Sequence, residues 1–471
     1  MNWKVVARSF KNADMRRRLL VVLGLVVVYR FLAHIPVPLA EPTQLKEVIN
    51  SVISSSDFGG FLNLLSGGAL AQLSIVLVGL SPFITASIIT QLLTKAIPKF
   101  EEMHKDGESG RRKIQQWTRI MSVPLAVVQS IAFIYILIQS PQVAGGVTGS
   151  LEIGMTEWIV AVTAMTVGAV LLMWMGEIMT EQGVGNGLSL LIFAGIISQI
   201  PSFAQFFITN ITDVSAGAMS VFGWFTLPLN PVAFWVFLVL GLASLAILYL
   251  LVKINEAQRV VTINYAKRVH GNSSYGGVKS ILPMKLIAAN VIPVIFAVAF
   301  LSLPAFIGQV LKATGNPDFT GVADSLITWF QTPNPGEFTG ATWQAFIYPA
   351  AYFVLVIAFT YFYTGIVFNS SEIAENLQKQ GGFIEGVRPG KQTEKYLKTT
   401  MNRLILFGST TLGIIAVMPF IAEYIIFNLT GYQNAQLAIG GTGVLIVVAV
   451  ALEALRQIDS RALMVTYDDY K

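Results

Sequence analysis

Apolar runs of about twenty residues recur along the whole chain, parted by shorter polar stretches. Ten are long enough to cross the hydrocarbon core of a bilayer, which takes ~20 helical residues. They fall at about 18–36, 73–94, 119–139, 157–176, 187–207, 233–252, 286–307, 345–368, 403–421 and 439–456. One stretch organises the rest: Phe58 to Thr94, FGGFLNLLSGGALAQLSIVLVGLSPFITASIITQLLT. Its first part, Phe58 to Gln72, holds four glycines and is too short to span. Its second part, Leu73 to Thr94, is long enough. Pro82 is expected to interrupt that helix and Gly79 to loosen it. Irregular backbone at membrane depth survives only inside protein or beside a water-filled cavity. The pattern therefore fits a short re-entrant helix resting on a kinked spanning helix. It fits equally an amphipathic surface turn before an ordinary span. Span 1 ends in IPVP, span 7 carries Pro293 and Pro304, and span 5 follows GVGNG and contains Gly187 and Gly195. Such breaks mark helices that move or line a cavity, or ordinary membrane packing, where Gly and Pro are common.

Composition supports a polytopic membrane protein. Hydrophobic residues make up 54% and charged residues 12%, about half the charge of an ordinary soluble domain. The N-terminal MNWKVVARSFKNADMRRR is followed by no small-residue cleavage pattern, so the first run is expected to be retained. Cysteine is absent, which excludes disulfides, thiolate catalysis and cysteine metal sites.

Charge sets the orientation. The N-terminal arm, the loops 2/3, 4/5, 6/7 and 8/9, and the C-terminal tail hold 28 Lys and Arg, against 2 in the opposite loops. This asymmetry places both termini in the cytoplasm and requires an even number of spans. Loop 4/5, GEIMTEQGVG, is acidic, but acidic residues carry little topological weight. Ten spans divide into five and five. An odd number per half makes the halves opposite in orientation and permits an inverted repeat with a path between them. The expected fold is an all-α integral membrane protein in two such halves. Residues 1–232 form the first. Residues 233–471 form the second, with cytoplasmic loops at 253–285 and 369–402.

Mid-membrane chemistry is nearly absent. His34 lies at the outer end of span 1, and His104 and His270 lie in polar loops. Gly107-Glu108-Ser109-Gly110 matches a GxSG protease signature, but it sits in a hydrophilic loop without a positioned base. No Walker A, HExxH or dinucleotide fingerprint occurs. Arg30 is close enough to the outer interface to snorkel. Glu423 and Glu453 are near span ends. No catalytic residue, metal site or cofactor is expected, and the chain is not read as an enzyme. A secondary transporter with an inverted repeat is the rival reading, but it needs a polar midplane site. A path lined by apolar side chains can instead block ions by dewetting while yielding to a passing chain.

Seven stretches together resemble the SecY/Sec61-alpha family, whose bacterial member is the channel-forming subunit of the Sec protein translocase. They are FLNLLSGGALAQLSIVLVGLSPFITASIITQLLT, KDGESGRRKIQQWTR, EQGVGNGLSLLIFAGII, INYAKRV, NVIPVIFA, SSEIAENLQKQGGFIEGVRPGKQTEKYL and IGGTGVLIVVAVALEALRQID. They occur in family order and cover nearly the whole chain. The resemblance implies a channel in the bacterial cytoplasmic membrane that passes unfolded polypeptide across, or sideways into, lipid. It implies a plug at about 58–72, including Phe61, Leu62, Leu64, Leu65, Gly67 and Gly68. It implies an aliphatic pore ring of Leu80, Ile84, Leu188, Ile192, Ile295 and Ile446, with Leu at 80 and 188 where Ile is frequent. Taken alone, each of these residues fits plain helix packing as well. A lateral gate between spans 2, 3, 7 and 8 is implied, with Ser87, Gln129 and Asn290 as polar groups at the seam. Arg259, Lys267, Arg268, Arg388 and Lys391 are implied docking residues. The Arg of GVRPG, Arg388, matters in the family for working with the motor ATPase SecA and for ribosome binding. Clustered Arg suits ribosomal RNA phosphate or an acidic partner surface. SecE and SecG are the implied companion subunits. Signal sequences, nascent polypeptides and membrane lipid are the implied ligands. Loop 6/7 is less basic than the family often shows, and the tail ends soon after span 10.

Overall fold

The computed structural model describes residues 13–38, 66–69, 72–138, 154–212, 219–221, 225–227, 229–265, 268–270, 273–275, 279–287, 292–313, 317–331, 343–430, 443 and 446–459. The fold is mostly helical. Six described helices are long and apolar enough to cross a membrane.

The first half begins with α1 (Ala13–Leu32). The chain then pairs briefly with itself: Val37 N–H donates to the Leu73 carbonyl at 2.7 Å, and Ile75 N–H to Ile35 at 3.0 Å. Leu73 holds φ +45° in this clasp, a left-handed conformation that costs a side-chain-bearing residue about 1–2 kcal/mol. Residues 72–80 run in turns and an isolated bridge, and α2 (Ser81–Ala96) starts after them with Pro82 in its first turn. The expected kink at Pro82 is therefore corrected: this proline starts a helix. Its fixed φ suits the first turn, where its missing N–H costs nothing. Gly79 sits in the preceding turn at φ +61°.

A short α3 (Pro98–Lys105) leads to α4 (Glu108–Ile138). The GESG tetrapeptide joins these two helices. A Cβ on Gly110 would lie 1.5 Å from the Met103 carbonyl oxygen, so the second glycine is needed for close backbone approach. Ser109 is exposed on the first turn of α4. Next come α5 (Met155–Glu181), α6 (Gly187–Ile197) and α7 (Ile200–Thr212). The fifth apolar run is thus two helices. Asn186 caps the first by accepting from Leu188 and Ser189 N–H at 3.1 and 3.4 Å. Gly187 packs on α5 so closely that a Cβ would lie 1.9 Å from the Gly176 carbonyl oxygen.

The second half contains α8 (Pro231–Glu256), α9 (Ile292–Ala313), α10 (Pro317–Phe330), α11 (Ile347–Val367), α12 (Ser370–Lys379) and α13 (Lys391–Thr430), followed by helical residues 446–459. In the first half α4 packs on α2 and α5, and α5 packs on α1 and α6; in the second α11 packs on α9 and α13. The halves meet where α2 and α4 touch α9, and again where α7 touches α8.

The all-α expectation needs correction. Seven strands occur among the described residues: β1 (Met219–Val221), β2 (Phe225–Leu227), β3 (Gln258–Tyr265), β4 (Arg268–His270), β5 (Ser273–Tyr275), β6 (Lys279–Lys285) and β7 (Gly382–Ile384). β6, β3 and β7 form one antiparallel sheet, in which Arg259 pairs with Met284 and Asn264 with Phe383. Loops 6/7 and 8/9 are thereby one body. Val261, Met284 and Ile384 of the sheet are buried against Leu397, Met401 and Ile405 of α13.

Candidate functional site

Ring residues come from four helical segments. Leu80 is the N-cap of α2 and Ile84 lies one turn in. Leu188 and Ile192 are on α6, Ile295 is on α9, and Ile446 belongs to the last helical segment. Leu80, Ile84, Ile192, Ile295 and Ile446 belong to one buried apolar cluster, and Leu188 packs against it. The five are 2–6% exposed. The same cluster takes in residues from Met15 to Ile458, aromatic ones such as Tyr352 and Phe359 included.

At the seam where α2 and α4 meet α9 there is a partly open cavity of about 20 Å³, lined by Ser81, Thr85, Gln129, Phe133, Ser302, Leu303 and Phe306 among others. That is room for about one water molecule. Gln129 thus lies at the seam. Ser87 accepts a hydrogen bond from Gln91 of its own helix at 2.9 Å. Asn290 is outside the described residues. Sequence reasoning missed Ser81, Thr85 and Ser302 here. Each is a small hydroxyl on an apolar helix, with nothing in its spacing to distinguish it from ordinary packing. It also missed the buried contact of Thr90 with Thr118, 2.8 Å apart, which ties α2 to α4.

Phe61, Leu62, Leu64 and Leu65 lie outside the described residues. Gly67 and Gly68 take φ +66° and +86°. The turn they form is gripped from α1: Tyr29 donates to the Ser66 carbonyl at 2.9 Å, and Arg30 to the Gly67 carbonyl at 2.6 Å. The Arg30 guanidinium, only partly buried, reaches this carbonyl from the end of α1.

On the sheet of β6, β3 and β7 Arg259 is exposed. Arg388 is also exposed, in a turn bounded by Gly386 (φ +78°) and Gly390 (φ +93°), and its carbonyl accepts from Thr393 Oγ1 at 3.0 Å. Lys391 opens α13 beside it. Arg268 begins β4, and Lys267 is outside the described residues. The base of this body is fastened by Arg456, which donates to Asn255 Oδ1 at 3.2 Å and to the Asn255 carbonyl at 2.8 Å. Burial lowers the Lys285 ammonium pKa from its ordinary value, and nearby Arg456 lowers it further, against a smaller opposing pull from Glu453. Glu177, which the sequence placed in loop 4/5, lies near the end of α5 and pairs with Arg119 of α4. Among the described residues no group of three His, Asp or Glu could hold a metal.

The family model SecY matches residues 74–455. The protein translocase subunit SecY of Corynebacterium glutamicum is 39% identical, with 98% of each chain covered. Those of Streptomyces coelicolor and Mycobacterium tuberculosis are 37% identical, again over 98% of each chain. A solved structure described as "The structure of a protein conducting channel" superposes with a TM-score of 0.61 at 18% identity, covering 94% of this chain and 91% of that one. "Sec61 in the Canine ribosome-channel complex from the endoplasmic reticulum" superposes over the same shares with a TM-score of 0.57 at 18% identity. These are likenesses of fold. The match to the family model, together with identity of up to 39% over nearly the full length, shows that the chain belongs to the SecY family of protein translocase subunits.

Proposed function

We propose that this channel passes unfolded polypeptide through the ring of Leu80, Ile84, Leu188, Ile192, Ile295 and Ile446, and releases apolar segments sideways where α2 and α4 meet α9. The supporting observation is the burial of Leu80, Ile84, Ile192, Ile295 and Ile446, drawn from distant parts of the chain, in one hydrophobic cluster. A conduit for chains of any sequence must seal without fixed polar contacts, and hydrocarbon does so by excluding water.

Family membership makes the chain a multi-pass protein of the bacterial cell membrane, and a channel rather than an enzyme. Nothing among its relatives favours a secondary transporter. The finer architecture is our reading: ten spans, both termini cytoplasmic, and two inverted halves divided near residue 232. It rests on the 28 to 2 distribution of Lys and Arg. The segment at about 58–72 acts as a plug on the outer side. One solved neighbour, with a TM-score of 0.62, is described as showing that "The plug domain of the SecY protein stablizes the closed state of the translocation channel and maintains a membrane seal". The partners we assign are SecE and SecG as companion subunits, and SecA or a translating ribosome at the sheet that carries Arg259 and Arg388. Two of the solved structures that the chain resembles are described in complex with ribosomes.

The seam supplies the test. The chain has no native cysteine, so cysteines at Ser81 and Ser302 report alone. A short reducible crosslinker joining them should block translocation of a precursor into reconstituted vesicles, and reductant should restore it. Unimpeded translocation through the locked protein would remove the seam from the mechanism.

A further inference from the structure

We infer that Arg456 is a positioning residue for translocation: its grip on Asn255 ties the sheet that carries Arg259 to the helix that carries Ile446, so that a partner's load on the sheet reaches the waist. The inference rests on reading that sheet as the docking face of a motor or ribosome. Loop 6/7 leaves the helices and returns to them at one point. α8 ends at Glu256, Gln258 and Lys285 open the pairing of β3 with β6, and Leu286 N–H donates to the Ala257 carbonyl at 2.9 Å. Asn255, 4% exposed, stands at this root. The last turn of a helix leaves carbonyls without intrahelical partners and favours a cation. Arg456 supplies it. One guanidinium nitrogen donates to the Asn255 carbonyl at 2.8 Å and the other to Asn255 Oδ1 at 3.2 Å. A planar fork on two acceptors fixes direction as well as distance. It is held there despite a second cation at the root: burial and then Arg456 lower the Lys285 ammonium pKa, while Glu453 pulls the other way.

The sheet's other fastening is of a different kind. Val261, Met284 and Ile384 lie on apolar side chains of α13, and Leu286 rests on Gly408 of the same helix, where a Cβ would fall 2.5 Å from its carbonyl oxygen. Apolar contact is non-directional. It resists pushing but lets the sheet slide. The Arg456 fork cannot slide without breaking. Ile446 lies ten residues before Arg456 on the same helical segment, about 15 Å along its axis. A hydrogen-bonded joint and a rigid helix are the parts from which coupling between distant places is built. Ile446 is 2% exposed in the apolar cluster, so a shift of its helix must disturb the packing around it. A load that moves the root of loop 6/7 is thus carried by Arg456 to one member of the ring.

The experiment is precursor translocation into vesicles reconstituted with the chain and its copurifying subunits, followed against SecA concentration. Arg456→Gln should cut the maximal rate about tenfold, the order of one lost charged donor. It should leave the SecA concentration at half-maximal rate unchanged, because Arg259 and Arg388 still face the motor. Arg456→Lys keeps the charge without the fork and should fall between. Lys253→Gln, at an exposed cation in the last turn of α8, should change nothing. Asn255→Cys with Arg456→Cys gives a second arm: the free pair should be slow, and a crosslinker about as long as an arginine side chain should restore the rate. Arg388→Glu tests the docking reading separately, by raising the half-maximal SecA concentration. Three results would each overturn the relay while docking stands: an unchanged maximal rate in Arg456→Gln, a half-maximal concentration raised as in Arg388→Glu, or a crosslinked pair as slow as the free one. If Arg388→Glu leaves that concentration where it was, the docking reading fails and takes the relay with it.

Discussion

Replacing Ile84, Ile192 and Ile295 together with asparagine is expected to raise the resting ion conductance of the reconstituted channel at least about tenfold. These three side chains come from three helices and are 2–6% exposed in one apolar cluster. A buried amide without a partner costs about 1–3 kcal/mol, so three of them at one constriction recruit water. Once the waist is wet, the barrier that excluded ions is lost. The change needs no displacement of the plug segment and should appear without SecA or precursor. Leucine at the same three positions keeps the seal apolar and should leave conductance low. Unchanged conductance in an asparagine variant that still inserts would argue that these residues serve packing alone.

The second large effect is expected at Arg388. Reversal to glutamate should slow SecA-driven export at least about tenfold while leaving abundance and membrane insertion intact. Losing a charge at a docking surface and placing the opposite one there costs a few kcal/mol of partner binding. The fold has little reason to notice, because Arg388 is exposed and its turn is shaped by Gly386, Gly390 and the Thr393 hydroxyl on its carbonyl. Lys379, at the end of the helix that leads into β7, is the control. It is paired with Glu375 at 2.7 Å on the exposed face of α12, and its reversal should leave export near normal. Equal loss from both variants would point to general loop charge, and normal export from Arg388→Glu would remove the docking role.

The outline of this protein was legible because a bilayer is a severe solvent. Long apolar runs and one-sided Lys and Arg can be read without tertiary knowledge. What escaped depends on contacts distant in sequence. QRVVTINY alternates as a strand does, but its partner β7 lies more than a hundred residues on, in loop 8/9. Pro82 reads as a kink only if the helix extends before it, and the clasp between 35–37 and 73–75 takes that stretch out of helix. Nothing in the linear sequence places the Gly67 carbonyl beside Arg30. At the ring the residue types were legible, and their meeting in one cluster was not, because Leu80 and Ile446 are joined only by packing of the two halves. The seam hydroxyls Ser81 and Ser302 carry no periodic signal at all.

The most direct test follows a chain in transit. A photoreactive residue is placed in turn at Ile84, Ile192 and Ile295, and at Leu242 on the exposed face of α8, and a precursor is stalled halfway through translocation. The three waist positions should all label the stalled chain, and Leu242 should label lipid. A stalled chain that labels Leu242 and misses all three waist positions would place the route elsewhere.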